Sequence, residues 1–301
     1  MDKAKSSLRL SCIGAGRAGK TLCKLLAEQH SEVEISIRQV INRSSASATK
    51  AVSFIGQGEP QAGVKNLLAA DIWLIATPDD EISAVSEQLS QSGVLRKGDI
   101  VFHCSGSLSS EIINLSAKDI YRASVHPIHS FANPQNSLTD FPGSACAVEG
   151  DQSAQDILSG LFSAIGGKCF ALAADKKALY HAATVMACNN LISLLSLSQQ
   201  MLEAADIDDA ESLLQPLIEN SLHNYFRSGA VGALTGPISR GDSKTVEAHI
   251  ESLKAHPHWL KIYSSLGEIA VSLSAQQGFS SDKQLETISS LLARANNHEQ
   301  N

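Results

Sequence analysis

The stretch LRLSCIGAGRAG, residues 8–19, decides the fold of this chain. Its first six residues form an apolar run typical of a buried strand. The next six form a G-x-G-x-x-G loop, and the apolar positions that follow recur on one face of a helix. In a strand–turn–helix of this kind the glycines allow a tight turn and a close approach of phosphate to the helix N-terminus. The pattern therefore predicts a dinucleotide site built by Gly14, Ala15, Gly16, Arg17 and Ala18.

The end of the second predicted strand indicates which dinucleotide is bound. This strand spans residues 34–41 and is followed by Asn42, Arg43 and Ser44. Folds that bind NAD usually place a carboxylate here to accept hydrogen bonds from the ribose 2′-hydroxyl. An arginine beside a hydroxyl at a helix start suits a 2′-phosphate instead. We therefore expect Asn42, Arg43 and Ser44 to contact the cofactor and favour NADP over NAD.

Composition limits the classes of protein to which the chain can belong. It has 301 residues, of which 43% are hydrophobic and 18% charged, and a net charge of −7. This length allows two domains, and the negative charge argues against a nucleic-acid partner. Residues 178–202 lack charged side chains, but amides and serines interrupt them. They are interpreted as one long helix buried in a helical domain and not as a membrane span.

Strand and helix signals alternate as far as residue 172 and then give way to helical periodicity. The alternation predicts an α/β Rossmann domain over residues 1–172, with a doubly wound parallel sheet of about eight strands. Residues 173–301 are predicted to form an all-α domain for substrate binding and dimerisation. The N-terminal segment 1–7 is short and polar, so we expect no signal peptide and a cytoplasmic protein. The charge-free stretch 178–202 and the apolar positions of the last two helices exceed what one small helical domain needs to bury, so we also expect a homodimer.

Ligands of open α/β sheets bind beyond the carboxyl ends of the strands. Thr77 and Pro78 follow one such end, and Ser105 and Gly106 follow another, so these four residues are expected near the nicotinamide. A turn that only caps the next helix is the alternative for the serine-rich segment. The acidic pair at residues 79–80 is interpreted as helix N-cap acids.

The segment His126-Pro127-Ile128-His129 is the strongest catalytic candidate. A histidine near the nicotinamide can give a proton to a carbonyl or imine during reduction. Either histidine could do so, or one of them could serve only to bond the backbone. Two histidines three residues apart could also bind a metal, but no third ligand follows nearby, so we expect no metal.

Three residues of the helical half complete the candidate set. His181 and Asn189 would lie within about 80° of each other on one helix and could face a cleft. Arg240 lies in a Gly/Pro loop and could bind a substrate carboxylate. For His181 and Asn189 the alternative is a structural role, in which their side chains form hydrogen bonds between helices. For Arg240 the alternative is a buried ion pair with Asp242 or with an acid of another subunit.

These segments resemble a family of two-domain Rossmann proteins whose C-terminal helical domain has no assigned function. That family is similar to 6-phosphogluconate dehydrogenase, pyrroline-carboxylate reductase and prephenate dehydrogenase. The resemblance covers essentially the whole chain and rests on GAGRAG (14–19), NRS (42–44), ATPDD (76–80), HCSGSL (103–108), HP with SF (126–127 and 130–131), YHAA (180–183) and TGPISRGD (235–242).

The resemblance implies NADP binding, oxidoreductase activity and dimerisation through the helical domain, and it names no substrate. The chain departs from one group of related enzymes at the residue that serves as their catalytic acid and base. Hydroxyisobutyrate-type dehydrogenases carry Lys-x-x-Asn-Asn on a helix, whereas this chain has Met186 at the lysine position. The leading hypothesis is an NADP(H)-dependent oxidoreductase for a small carbonyl, imine or hydroxy acid. The alternative is an NADP(H)-binding sensor or regulator without turnover.

Overall fold

The computed structural model describes residues 6–116 and 119–296. Most of the polar N-terminal segment, residues 1–5, lies outside them. The chain forms two compact units, Met1–Cys188 and Asn189–Asn301.

The first unit is built on an eight-stranded sheet with the order β3-β2-β1-β4-β5-β6-β7-β8. The strands are β1 (Ser6–Ile13), β2 (Val33–Asn42), β3 (Glu59–Ala62), β4 (Ile72–Ile75), β5 (Ile100–His103), β6 (Tyr121–Pro127), β7 (Ala145–Gly150) and β8 (Lys168–Ala171). The predicted doubly wound Rossmann sheet is confirmed, because the order runs outward from β1 in both directions. The carboxyl ends of β1, β2, β4, β5 and β6 share one edge, which we call the ligand edge.

The last two strands differ from the predicted all-parallel sheet. β6 pairs with β7 antiparallel, with His126 opposite Ala147, and β7 then pairs with β8 in parallel. The sequence pattern reveals that a buried strand exists but not its direction, since side chains alternate in the same way in parallel and antiparallel strands. β7 and β8 therefore end at the opposite edge of the sheet.

Helices cover the sheet of the first unit and close its core. The central strands are buried along their whole length; Ile72–Ile75 and Ile100–His103 show no exposed residue. Such continuous burial requires cover on both faces. The helices of this unit are α1 (Arg17–Glu28), α2 (Ser45–Ile55), α3 (Ile82–Gln91), α4 (Pro134–Asp140), α5 (Gln152–Ala164) and α6 (Lys177–Ala187).

The first compact unit extends beyond the last strand of the sheet. The strands end at Ala171, next to the predicted boundary at residue 172, but α6 still belongs to this unit. Its first residue, Lys177, is buried to 1% exposure and contacts β6, which explains why the helix stays with the sheet.

The predicted single buried helix over residues 178–202 is wrong. The backbone leaves helical geometry at Cys188 (φ −116°, ψ −72°), and a second helix, α7 (Asn189–Glu203), begins there. Most of its side chains are exposed, and Leu197 is the buried one within α7. By length and composition the stretch Ala174–Glu203 could cross a membrane, with a mean hydropathy of 1.2. The break and the neighbouring amides argue against a span.

The second unit is entirely helical in the part that the structure describes. Besides α7 it contains α8 (Ala210–Ala233), α9 (Ser243–Leu253), α10 (Pro257–Gln277) and α11 (Asp282–Asn296). Its core is formed mainly by α9, α10 and α11, with Val246, Ile288 and Leu292 fully buried. α7 and α8 contribute little to that core, and large apolar side chains on α8 such as Phe226 are 82% exposed.

Candidate functional site

The glycine loop joins β1 to α1 at the ligand edge and is held from below by backbone and side-chain bonds. Gly14 has φ +90°, and a Cβ there would lie 2.6 Å from the backbone nitrogen of Thr77, so only glycine fits. The N–H of Ala15 donates to Oδ1 of Asn42 at 2.8 Å. Around Gly16 the space is open, and no side chain caps α1 there. The first N–H groups of the helix therefore remain available to an anion.

A cleft of about 560 Å³ opens above this loop. Four basic side chains and one acidic side chain line it, although the whole chain is acidic. The basic ones come from α1, from α2 and from the end of β2. A concave site with this charge suits a ligand that carries several phosphates. The charged side chains are Arg17, Lys20, Arg43, Lys50 and Glu81.

The residues predicted for the cofactor take different places around this cleft. Arg43 lines it with a side chain that is 90% exposed and lies 3.7 Å from Oε1 of Glu81. Asn42 also lines it, but its carboxamide is engaged by the glycine loop. Ser44 caps α2 by accepting from the N–H of Ser47, and Ala18 lies on α1 outside the residues that line the cleft.

The loop after β4 connects the cleft to the next strand end. Thr77 and Pro78 line the cleft, and Oγ1 of Thr77 is buried without a protein hydrogen-bond partner. Asp79 does not cap a helix, contrary to our interpretation. Its Oδ2 accepts from the hydroxyls of Ser105 (2.7 Å) and Ser107 (3.1 Å). The carboxylate thus fixes the loop that follows β5, residues 104–109, beside the cleft; we call this segment the β5 loop.

Gly106, His126 and His181 come together at the end of this loop. A Cβ on Gly106 would lie 2.3 Å from Cδ2 of His181 and 2.8 Å from Nε2 of His126. The two imidazole rings meet edge to face, with centroids 5.5 Å apart. Nε2 of His126 therefore faces the backbone of the loop that we expected near the nicotinamide.

His126 is held in its neutral form. Burial lowers its pKa to about 4, and the electrostatic effects of the neighbouring His181 and Lys177 act in the same direction. Its other ring nitrogen, Nδ1, lies 2.8 Å from the hydroxyl of Tyr180 on α6. Burial also raises the pKa of Tyr180 to about 12. At neutral pH the pair therefore consists of a neutral imidazole and a protonated phenol.

A buried ion pair lies beneath this group. Nζ of Lys177 donates to Oγ of Ser124 at 2.7 Å and lies 3.7 Å from Oε1 of Glu149. The same carboxylate accepts from the N–H and the hydroxyl of Ser110. Oγ of Ser124 in turn donates to the carbonyl of Ser105 at 3.4 Å. Lys177 therefore anchors the same loop that Asp79 fixes from the cleft side.

His103 anchors that loop from within the sheet. Its Nδ1 accepts from the N–H of Ser105 at 3.1 Å, and its Nε2 lies 3.1 Å from the carbonyl of Ser109. The ring is fully buried, and burial lowers its pKa to about 4. A neutral ring with hydrogen on Nε2 satisfies both contacts.

His129 lies apart from this group. Its Nδ1 lies 3.2 Å from Oγ of Ser144, and its ring packs against Phe131 and Phe141. Its Nε2 is buried without a hydrogen-bond partner. Of the two histidines in the predicted segment, the structure thus brings His126 to the strand end near Gly106.

Two of the three residues predicted in the helical half, Asn189 and Arg240, lie in the second unit. Asn189 is exposed at the start of α7, whereas His181 lies on α6 of the first unit, so the two residues do not share one helix as predicted. Arg240 is exposed in the turn between α8 and α9. Asp242 caps α9 by accepting from Thr245, so the alternative of a buried pair with Arg240 is also wrong.

Sequence reasoning assigned no role to Lys177, Glu149, Tyr180 or His103. Tyr180 and His103 belong to segments that carry the family resemblance, which was a usable signal. Lys177 follows another lysine at a helix start, where lysines are usually solvated. Nothing local marks it as the buried one. In residues 6–116 and 119–296 no three His, Cys, Asp or Glu side chains are grouped to hold a metal.

Comparisons with known proteins agree with this architecture. Residues 2–127 match the description Rossmann-like domain, and residues 144–270 match a domain of unknown function, DUF2520. No curated protein matches the sequence significantly.

Solved structures share the fold over most of the chain. Protein TM1727 from Thermotoga maritima is 25% identical, with a TM-score of 0.70 over 89% of this chain and 99% of that one. BF3122 from Bacteroides fragilis, described as a candidate NADP oxidoreductase, is 18% identical, with a TM-score of 0.70 over 90% of this chain and 98% of that one. A pyrroline-5-carboxylate reductase from Coxiella burnetii is 16% identical, with a TM-score of 0.54 over 94% and 98%.

Proposed function

This chain belongs to the proteins that join a Rossmann-like domain to a DUF2520 domain, and we propose that it is an NADP(H)-dependent oxidoreductase. Its substrate is a small carbonyl, an imine or the corresponding hydroxy acid. One observation carries the proposal. Asp79, which follows the cleft-lining Thr77 and Pro78, bonds the hydroxyl of Ser105, and Nε2 of His126 faces the next residue of the same loop, Gly106. Ligands of this fold lie along that edge of the sheet.

The residues present fit a dinucleotide. The uncapped start of α1 and the open space at Gly16 suit a pyrophosphate, and the unpartnered Oγ1 of Thr77 offers a polar contact farther along the cleft. When bound, NADPH would supply a hydride. The protein then has to orient the substrate, exclude water and deliver a proton to the heteroatom, and His126 is the group best placed for that delivery.

The preference for NADP rests on charge at the end of β2. Arg43 and Lys50 both line the cleft, and Ser47 adds a hydroxyl on the first turn of α2. Such a set suits a 2′-phosphate by charge-assisted hydrogen bonds. Glu81 lies 3.7 Å from Arg43. A 2′-phosphate would compete with this exposed carboxylate for the guanidinium.

A sensor or regulator that binds NADP(H) without turnover is the second candidate. It is favoured by the side chain at position 186, where methionine stands in place of the lysine of hydroxyisobutyrate-type dehydrogenases. The low pKa of His126 also means that the ring holds no spare proton at neutral pH. Steady NADPH oxidation with any member of a panel of carbonyls and imines separates the enzyme from the sensor.

A second copy of the chain is the proposed partner. α7 and α8 leave large apolar side chains exposed, among them Ile192 (65%), Leu217 (59%) and Phe226 (82%). An apolar surface of this extent on a soluble protein usually marks an interface. The helical unit would therefore form a homodimer, as the family resemblance implies.

The cofactor proposal is tested by fluorescence titration of NADPH and NADH. Arg43→Ala should weaken NADPH binding roughly tenfold or more, because a charge-assisted contact contributes about 1.5–3 kcal/mol, and should leave NADH binding unchanged. Arg38→Ala is the matched control, since Arg38 lies on β2, the strand that Arg43 follows, and makes an equally loose ion pair with Glu59 at 3.6 Å. Equal affinity of the wild type for both cofactors would refute the NADP preference.

A further inference from the structure

The hydrogen bond between His126 and Tyr180 lies directly behind the nitrogen that faces Gly106. Nδ1 of His126 is 2.8 Å from the Tyr180 hydroxyl, and the two rings meet edge to face at 5.6 Å. Nε2 of the same imidazole lies toward Gly106. The three groups thus form a line from α6 through the end of β6 to the β5 loop.

His126 by itself is a poor source of a proton. With a pKa of about 4, roughly one ring in a thousand carries the second proton at pH 7. The groups that face it explain this value. Burial is the largest cause, the electrostatic effects of His181 and Lys177 on α6 lower the pKa further, and Asp79 after β4 opposes them. A proton delivered at Nε2 must therefore be replaced from behind the ring.

Tyr180 holds a hydrogen in the position from which it can be replaced. Its raised pKa of about 12 keeps the phenol protonated throughout the neutral range. A phenol O–H is a stronger donor than a neutral imidazole N–H, and the imidazole lone pair is a better acceptor than a phenol oxygen. The 2.8 Å contact is therefore best satisfied by a hydrogen that runs from Tyr180 to Nδ1.

We propose that Tyr180 is a positioning residue that donates its hydroxyl hydrogen to Nδ1 of His126, so that His126 presents an Nε2–H over Gly106 and relays a proton from Tyr180 to the substrate. The relay rests on the proposed function. The assignment of the tautomer does not.

The proton balance of the relay closes without another reactant. When a carbonyl carbon is reduced, its oxygen takes the Nε2 hydrogen, Nδ1 takes the hydroxyl hydrogen of Tyr180, and a phenolate remains. Neutral imidazole is regenerated with its hydrogen on Nδ1. An alkoxide is a stronger base than this phenolate, so the transfer is downhill. A solvent proton then binds Nε2 of His126, and the Nδ1 hydrogen returns to the phenolate oxygen of Tyr180, so both groups regain their first protonation states.

The tautomer is measured by nitrogen-15 NMR of the full-length protein labelled at histidine, with His126→Asn used to assign the signal. The wild type should show hydrogen on Nε2 of His126. Tyr180→Phe should shift the ring toward the other tautomer, while its phenyl ring keeps the packing against Phe170. A wild-type ring with hydrogen on Nδ1, or a tautomer unchanged in Tyr180→Phe, would overturn the proposal.

The second unit offers a matched control. Nδ1 of His249 lies 2.9 Å from the hydroxyl of Tyr263, with ring centroids 5.7 Å apart, which repeats the geometry of the proposed pair. Tyr263→Phe removes the same hydroxyl from the same kind of nitrogen. It should change the His249 signals and leave those of His126 unchanged.

Activity gives a second, separate readout on a carbonyl or imine that the panel identifies. Tyr180→Phe should lower kcat about 100-fold at pH 7 and leave NADPH affinity unchanged. Its rate should rise as pH falls, because the proton must then come from solvent, whereas the wild-type rate stays flat between about pH 6 and 9. An unaltered pH profile overturns the relay. Failure of the proposed function would appear instead as absent NADPH binding or turnover in the wild type.

Discussion

Lys177→Met removes the buried cation of the ion pair beneath the candidate site. The two side chains of this pair are 1% and 6% exposed, so the carboxylate of Glu149 would stay buried without its counter-charge. Breaking such a pair from one side costs about 3–5 kcal/mol. For a unit of this size that corresponds to a fall in Tm of roughly 6–20 °C. The Ser124 hydroxyl also loses its donor, so the β5 loop should become more mobile.

Urea unfolding followed by tryptophan fluorescence measures this loss. Trp73 is fully buried on β4 and reports on the first unit, and a Trp259→Phe background removes the other tryptophan. Lys176→Met is the matched control, because that lysine is 65% exposed in a surface pair with Asp175. It should change the free energy of unfolding by less than about 1 kcal/mol.

The double variant Lys177→Met with Glu149→Gln separates charge from packing. Removing both charges should recover most of the lost stability, because no uncompensated buried ion remains. If Lys177→Met alone unfolds with wild-type stability, or if the double variant is no more stable than the single one, the ion pair does not hold this part of the structure as argued.

Three further results are expected. Gly106→Ala should abolish turnover yet bind NADPH with affinity within about threefold of wild type, because its Cβ would lie 2.3 Å from His181 and outside the cofactor cleft; full activity would refute the arrangement. Burial lowers the pKa of His103 from 6.5 to about 4, so the unfolded chain binds the proton first and stability falls as pH drops from 6.5 to 4. His103 accounts for about 2–3 kcal/mol of the fall in the free energy of unfolding at pH 4.5. In urea unfolding, the His103→Asn variant should therefore lose that much less stability on acidification than the wild type. If the helical unit forms the proposed homodimer, Phe226→Asp should give a monomer in light scattering, and a wild type of 31.9 kDa at micromolar concentration would contradict the dimer.

Much of the first unit could be predicted from local pattern. Apolar runs that end in loops gave the strands, and the glycine loop gave the position of the cleft. β3 was missed because Glu59-Pro60-Gln61-Ala62 is a short polar strand at the edge of the sheet, with none of the apolar pattern by which the others were found. The direction of β7 could not be read because alternation is the same in both directions.

The candidate site was predictable only where neighbours in sequence are neighbours in space. The loops at Thr77, Gly106 and His126 follow strand ends and were found. Lys177 and Tyr180 reach the site because α6 packs against β6, which is a long-range contact that no local pattern encodes. His181 and Asn189 were expected on one helix, but α6 ends at Ala187 and α7 begins at Asn189, which the helical periodicity did not reveal.

The reversal of β7 and β8 sets the direction from which α6 arrives. Because these strands run away from the ligand edge, the chain leaves β8 at the far edge and returns along β6, first past Ser124 at Lys177 and then past His126 at Tyr180. A strand of the usual direction would have started α6 at the ligand edge and carried it away from His126. The length of the connection over residues 172–176 therefore determines which side chains of α6 face β6. One residue inserted there would rotate α6 by about 100° if the helix kept its position along β6. If α6 kept the same face toward β6, the insertion would shift it by about 1.5 Å along its axis. Either change would separate the lysine from its carboxylate or the tyrosine from its histidine.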